Sequence, residues 1–354
     1  MSRCYNNIKC KIVLLSSFLS YILSVIRLKL FIKAILSLFL VVAVAIVPKG
    51  LYNTLNTDKI TDEMYKRREK YFYGVINVWQ IDSFEGGKGS RTAFLQKISK
   101  RFEKKNNGVY INVETITLEK AKNLIESGQK KPDIVSYGSG FQLNGDCFTE
   151  LSLENKPTLI NKAISEKAVP WSMGGYFMIG DSDKTKWGSD GYVKSTKKGQ
   201  TIIYSVGVPE RQGHNALNSV FIDTTHENAI FSGTSQEIFD AYNFSYKVNR
   251  MIGTQRDLYR LQAQEKNERA RKGDVVFLGC TDLFQYVSVL KCENKKKLDT
   301  MNKYVSFLIE KEQQDKLGSI GMFPVIMEAQ PEYDNSFVKN AWQDIQKNGI
   351  REIL

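Results

Sequence analysis

The chain has 354 residues, 42% hydrophobic and 25% charged, a globular composition that excludes wholesale disorder. Two histidines and five scattered cysteines argue against a histidine-rich metal centre, a Ser-His-Asp triad and a disulfide scaffold. Of the net charge of +12, residues 1–70 carry +8 (12 Lys/Arg against 4 Asp/Glu), which leaves +4 for the other 284. A nucleic-acid-binding domain would hold its excess on the folded part, so no nucleic-acid partner is expected.

From Ile12 to Val47 the chain is apolar except for Arg27, Lys29 and Lys33. The 18 residues from Leu30 to Val47 hold one charge, Lys33, near their start. At about 1.5 Å per residue they span about 27 Å, enough for a thin hydrocarbon core with Lys33 snorkelling. Pro48 and Gly50 end the helix, and the basic residues Arg3, Lys9, Lys11, Arg27, Lys29 and Lys33 orient the N-terminus inward. Residues 1–49 therefore read as a cytoplasmic stub with a transmembrane or signal helix, and 50–71 as a polar spacer. The remainder is placed outside the membrane, held there or, if cleaved near Ala43-Val44-Ala45, secreted. The shorter, serine-containing stretch 12–26 reads as an interfacial helix or a signal n-region.

Beyond the spacer, Gly74–Ile81 is apolar on both faces, as in a buried parallel strand. A Gly-rich loop follows, and Ser90 is placed to cap an amphipathic helix over Arg91–Lys105. Residues 109–115 alternate as a second strand, 118–125 form a helix closed by Gly128, and Pro132-Asp133 opens a third strand ending in Gly138-Ser139-Gly140. This β-α-β-α-β order is that of a doubly wound α/β layer, in which ligands sit beyond the carboxyl ends of the strands. Those ends are 82–90 and 138–141. Further strands are expected at 168–180, 201–208, 274–278 and 284–290, with helices at 236–248, 255–270 and from the Asn294 cap to about Leu317. Residues 321–325 read as extended.

The loop 85–90 lacks the Gly-Lys-Ser/Thr order of a phosphate loop, and suits presentation of backbone N–H groups to a polar ligand. Asp82 and Glu85 could hydrogen-bond a ligand's hydroxyls or serve as the paired carboxylates of a glycoside hydrolase. Trp79, Tyr137, Phe141, Trp171, Tyr176 and Phe284 fall at strand ends, where aromatic faces stack on sugar rings, although each also fits a core. His214 and His226 read as surface residues. Cys280 and Cys292 are the only short-range disulfide option outside the membrane segment, and three unpaired thiols fit equally. No metal or cofactor is indicated.

The strand GVINVWQIDSFEGGKGSR, the segments KPDIVSYGSGF and AVPWSMGGYFMIG, and the stretch from CTDLFQYVSVLKCENKKKLDT through QDKLGSIGMFPV resemble bacterial extracellular solute-binding proteins. These are the sugar-type (family 1) binding components of ABC transporters, and the resemblance covers roughly 72–330. It implies an α/β, two-lobed type II periplasmic-binding-protein fold, with ligand trapped by hinge closure. Lobe 1 would comprise 72–172 and 287–325, and lobe 2 would comprise 173–286 and 326–354. The implied ligand-binding residues are Asp82, Phe84, Glu85, Tyr137, Ser139, Phe141, Trp171, Tyr176, Asp282 and Phe284. The implied partners are a carbohydrate or other small solute and ABC permease subunits, for a monomer that performs no catalysis. The chain lacks the lipid-attachment cysteine common in such proteins, and its second lobe is short, which keeps a membrane-held sensor or accessory domain as the alternative.

Overall fold

The computed structural model comprises two compact units, Met1–Tyr71 and Phe72–Leu354. The described residues are Lys33, Ile35, Ser37 and Tyr71 in the first. In the second they are all but 82–83, 85, 130, 139–140, 142–144, 154–159, 161–164, 181–184, 188–192, 196–205, 210–229, 246–247, 249, 268–270, 272 and 354. Lys33, Ile35 and Ser37 are helical and exposed. The rest of the expected membrane segment, the spacer, His214 and His226 lie outside the described residues. Among the described residues no helix is long and apolar enough to cross a membrane.

The second unit begins with β1 (Gly74–Ile81), α1 (Arg91–Lys105), β2 (Val109–Ile116), α2 (Leu118–Glu126) and β3 (Ile134–Gly138). Ser90 caps α1 by accepting the Ala93 N–H at 3.2 Å, and Phe94, Leu95, Ile98 and Phe102 bury one face. Strand β1 pairs in parallel with β2 and β3. The Pro132-Asp133 corner is an anchor: the Asp133 carboxylate accepts the Asn77 N–H of β1 at 2.8 Å and pairs with Lys297 at 2.7 Å. Trp79 and Ile81 are covered by Ala121 and Ile125 of α2, but Val75, expected to be buried, is 49% exposed, because α2 covers only the far half of that face.

After a 3-10 turn at Gly145–Cys147 come β4 (Val169–Met173), β5 (Tyr176–Gly180), the hairpin of β6 (Thr185–Trp187) with β7 (Val193–Ser195), β8 (Val206–Pro209) and β9 (Ile230–Gly233). Helix α3 (Ser235–Asn243), β10 (Arg250–Thr254), α4 (Gln255–Glu265), β11 (Asp274–Phe277), β12 (Cys280–Thr281) and β13 (Phe284–Val289) follow. The chain finishes with α5 (Lys295–Leu308), α6 (Lys311–Gln314), a 3-10 segment (Asp315–Ile320), α7 (Ser336–Asn348) and β14 (Arg351–Glu352).

Ten of these strands form two five-stranded sheets with one strand order. The first runs β2-β1-β3-β13-β4 and the second, from its far edge, β9-β8-β10-β5-β11. In each, three parallel strands in the order second-first-third are followed by one antiparallel to both its neighbours. That antiparallel strand is the first to follow a crossing from the other half: β5 directly after β4, and β13 after β11 and β12. The expected α/β architecture with two wound layers is thus present. The sheets place Phe284–Tyr286 in the first layer, whereas the sequence reading put those residues in the second.

The crossings are tightly tied. The Gly174 N–H donates to the Leu283 carbonyl at 2.7 Å, and Thr281 Oγ1 donates to the Gly174 carbonyl at 2.7 Å. Met173 and Phe323 exchange both backbone hydrogen bonds at 2.9 Å, so residues near 323 run beside the first crossing. The single helix expected to Leu317 breaks after Leu308. There the buried Gln314 amide donates to the Trp171 and Leu308 carbonyls and accepts the Val325 N–H, which favours a compact turn over a straight helix. Helix α4 stops at Glu265, short of the expected 270, and α3 stops at Asn243, short of 248. Cys147, Cys280 and Cys292 are unpaired.

Candidate functional site

The Gly-rich loop leaving β1 and the first turns of α4 face each other across a cavity of about 750 Å³. From the first half it is lined by Phe84, Gly86, Gly87, Lys88, Gly89, Ser90 and Arg91. Helix α4 contributes Arg256, Tyr259, Arg260 and Ala263, a face with i, i+3, i+4, i+7 spacing, together with Gln262, and Lys266 follows at its C-cap. Asp334, just before α7, completes the lining.

The loop glycines are there for close approach. A Cβ on Gly87, whose φ is +70°, would lie 2.0 Å from the Ile320 carbonyl oxygen, and one on Gly89 would lie 2.9 Å from the Ile320 side chain. The Lys88 N–H, expected to be available for a ligand, instead donates to the Ile320 carbonyl at 2.8 Å. The next residue, Gly321, has φ +68° and carries the Tyr259 ring against it, 2.3 Å from where a Cβ would stand. The loop, the 320–321 corner and α4 are therefore fitted backbone to backbone and ring to backbone.

Among the described residues the lining is strongly basic: Lys88, Arg91, Arg256, Arg260 and Lys266 against one carboxylate, Asp334. Lys88 Nζ bridges the two halves to Asp334 Oδ1 at 2.6 Å and lies 5.1 Å from the Tyr259 ring centroid. That hydrogen bond holds the Asp334 carboxyl below its usual range. Arg91, 6% exposed, stacks its guanidinium 4.4 Å above the Phe84 ring and donates to the Phe84 carbonyl. Arg260 pairs with Asp257 at 3.4 Å, lies 4.6 Å over the Phe239 ring and donates to Gln236. Tyr259 is 8% exposed and its buried hydroxyl has no hydrogen-bond partner among the described residues. Burial, with the Asp334 charge, pushes that phenol well above its ordinary value, so it stays protonated.

Of the residues singled out from sequence, Phe84 lines this cavity. Asp82, Glu85 and Ser139 lie outside the described residues. Tyr137 and Phe141 pack together, centroids 5.0 Å apart, in the cluster beneath α2, and the Tyr137 hydroxyl meets Ser288 Oγ at 2.9 Å. Trp171 is fully buried, stacked on Phe94 at 5.7 Å, with Nε1 donating to Ser136 Oγ at 2.8 Å. Tyr176 is buried at the first crossing and donates to Asp282 Oδ1 at 2.7 Å. Phe284 packs in the second-half core, 6.0 Å from Tyr286. These aromatic residues brace the core and the crossings instead of lining the cavity. The sequence reading missed the α4 face, although Arg256, Tyr259 and Arg260 show its spacing.

No protein-family model matches the chain, and no curated protein matches it in sequence. Solved structures similar to it include the substrate-binding domain of a molybdenum ABC transporter from Clostridium difficile (14% identity, 71% of this chain and 99% of that one, TM-score 0.44). Others are the apo ferric ion-binding protein A of Pasteurella haemolytica (13%, 77% and 94%, TM-score 0.49) and PBP AttC of Agrobacterium tumefaciens C58 in an open unliganded conformation (11%, 78% and 93%, TM-score 0.49).

Proposed function

We propose that the chain is a two-lobed solute-binding protein, which captures a small polar solute between its halves and delivers it to an ABC permease outside the bacterial cytoplasmic membrane. The observation that carries this reading is the repeated strand order, with each sheet receiving an antiparallel strand from a crossing. Halves joined through such crossings can close about them as hinges. The cavity of about 750 Å³ between the β1 loop and α4 falls in the size range of small-molecule sites. In this reading the protein binds without turnover, and Asp82 and Glu85 hydrogen-bond the solute. A carbohydrate is the solute that the strand-end aromatics suggest, although only Phe84 of the aromatic residues chosen from sequence lines the cavity.

A thermal-shift screen of the full chain tests the reading, with small-angle scattering on any hit. A solute held at a hundredfold its dissociation constant adds about 2.7 kcal/mol, which raises the melting midpoint by roughly 5 °C or more. The radius of gyration should fall as the halves close. Turnover of a chromogenic glycoside, abolished by Asp82→Asn, would replace the binding protein with a hydrolase.

A further inference from the structure

Resting on that reading, we propose that the cavity selects an organic oxyanion, a solute carrying a phosphate ester or carboxylates, in preference to a neutral sugar. Among the described residues, five cationic side chains and one carboxylate line the cavity, an excess of four positive charges. That equals the entire net charge of the 284 residues beyond the N-terminal seventy. Such a concentration in a concave site focuses the field on an incoming anion. Neutral hydroxyls gain little from it.

The placement of the cations fits the same ligand class. Arg91 comes from the first turn of the 15-residue α1, and Arg256 from the first turn of the 11-residue α4. Both charges therefore stand where the helix dipoles are also positive. Guanidinium forks match the paired oxygens of carboxylates and phosphates. The Tyr259 ring forms part of the cavity wall, and its hydroxyl is buried with no partner among the described residues. The volume of about 750 Å³ leaves room for an organic body, with the Phe84 and Tyr259 rings as its apolar wall.

Asp334 sets the terms of entry. Its carboxylate already occupies Lys88 Nζ, so it acts as an internal competitor for an arriving oxyanion. Asp334→Asn should therefore tighten an anionic solute and leave a neutral one unchanged.

The test is calorimetric titration of the full chain with glucose 6-phosphate, citrate, inorganic phosphate and maltose, in low and high salt. Glucose 6-phosphate or citrate is expected to bind more tightly than maltose and to weaken as salt rises. The double variant Arg256→Gln, Lys266→Gln should lose about tenfold in that affinity, whereas Lys339→Gln, on the exposed face of α7, should lose none. If the double variant does not fold, the salt dependence of the wild type and the Asp334→Asn comparison decide the matter. Maltose binding unaffected by the double variant would overturn the anion assignment and leave the solute-binding reading standing. Inorganic phosphate binding as tightly as glucose 6-phosphate would overturn the organic part. If no solute of either class binds and none compacts the molecule, the solute-binding reading itself fails.

Discussion

Gly87 shows how much a single missing methyl group does here. Its φ of +70° costs a side-chain-bearing residue about 1–2 kcal/mol, and its Cβ position lies 2.0 Å from the Ile320 carbonyl oxygen. Gly128 has the same φ with nothing within 4 Å of its Cβ position. Gly128→Ala should therefore lose the backbone part alone, and Gly87→Ala about 2 kcal/mol or more, since the 320–321 corner must move. Paired urea melts measure the difference, and equal losses would mean that the loop does not seat on Ile320. The sequence shows the run of glycines but not its reason, because Ile320 is 233 residues away along the chain. Aromatic residues are ambiguous for a related cause. Trp171 and Tyr176 have the chemistry of a sugar platform and that of a buried brace, and only the Ser136 and Asp282 partners distinguish the two.

At the scale of elements, local signals were legible wherever they were local in origin. The bounds of β1 and α1 follow from the apolar run and the Ser90 cap, and α4 begins at the expected Gln255. Helix α7 was not anticipated, although Asn335 caps it and Val338, Ala341, Trp342 and Ile345 form its buried stripe. The cavity face of α4 was hidden because Arg256 and Arg260 read as a solvated surface whether they face water or a ligand. The start of α4 carries a pH signature. Thr254 and Asp257 form a capping box, with Asp257 Oδ2 accepting the Thr254 N–H at 2.9 Å. Burial raises the Asp257 pKa above its ordinary value of 3.8, against the opposing pull of the Thr254 N–H and of Arg260 and Arg256. The native state then binds this proton at higher pH than the unfolded chain. Its contribution is present at low pH and is lost as pH climbs through the raised value. Asp257→Asn keeps the acceptor and removes the titration. The stability of the wild type minus that of the variant should fall as pH rises from about 3.8 and then level off. A difference that rises with pH would place the carboxyl on the other side of its ordinary value.

For the whole molecule, the first wound layer could be read from residues 74–138, since its opening strands and helices are neighbouring segments, whereas the second followed only from the family resemblance. The ties between them could not, because they join distant ones. The C-terminal strand β14 pairs in parallel with β12 at the second crossing: Arg351 N–H donates to the Gly279 carbonyl and Ile353 N–H to the Thr281 carbonyl, both at 2.9 Å. Just before it, α7 packs Val338, Ala341, Trp342 and Ile345 into one core cluster, whereas Ile353, 8% exposed, packs in another that holds residues of both sheets. The last residues therefore tie α7 to the second crossing. Beneath them lies Cys280, fully buried, its thiol pushed up to about 11 mainly by burial. A chain ending at Gly349 loses the Ile353 burial and the two hydrogen bonds, about 2–4 kcal/mol in total. It should melt lower than the full chain, and one additional thiol should react with a soluble disulfide reagent at pH 8, since uncovering Cys280 returns it toward an ordinary thiol. Cys280→Ser in the shortened chain should abolish that additional labelling. If truncation lowers the midpoint without exposing Cys280, the tail stabilises α7 alone and does not close over the crossing.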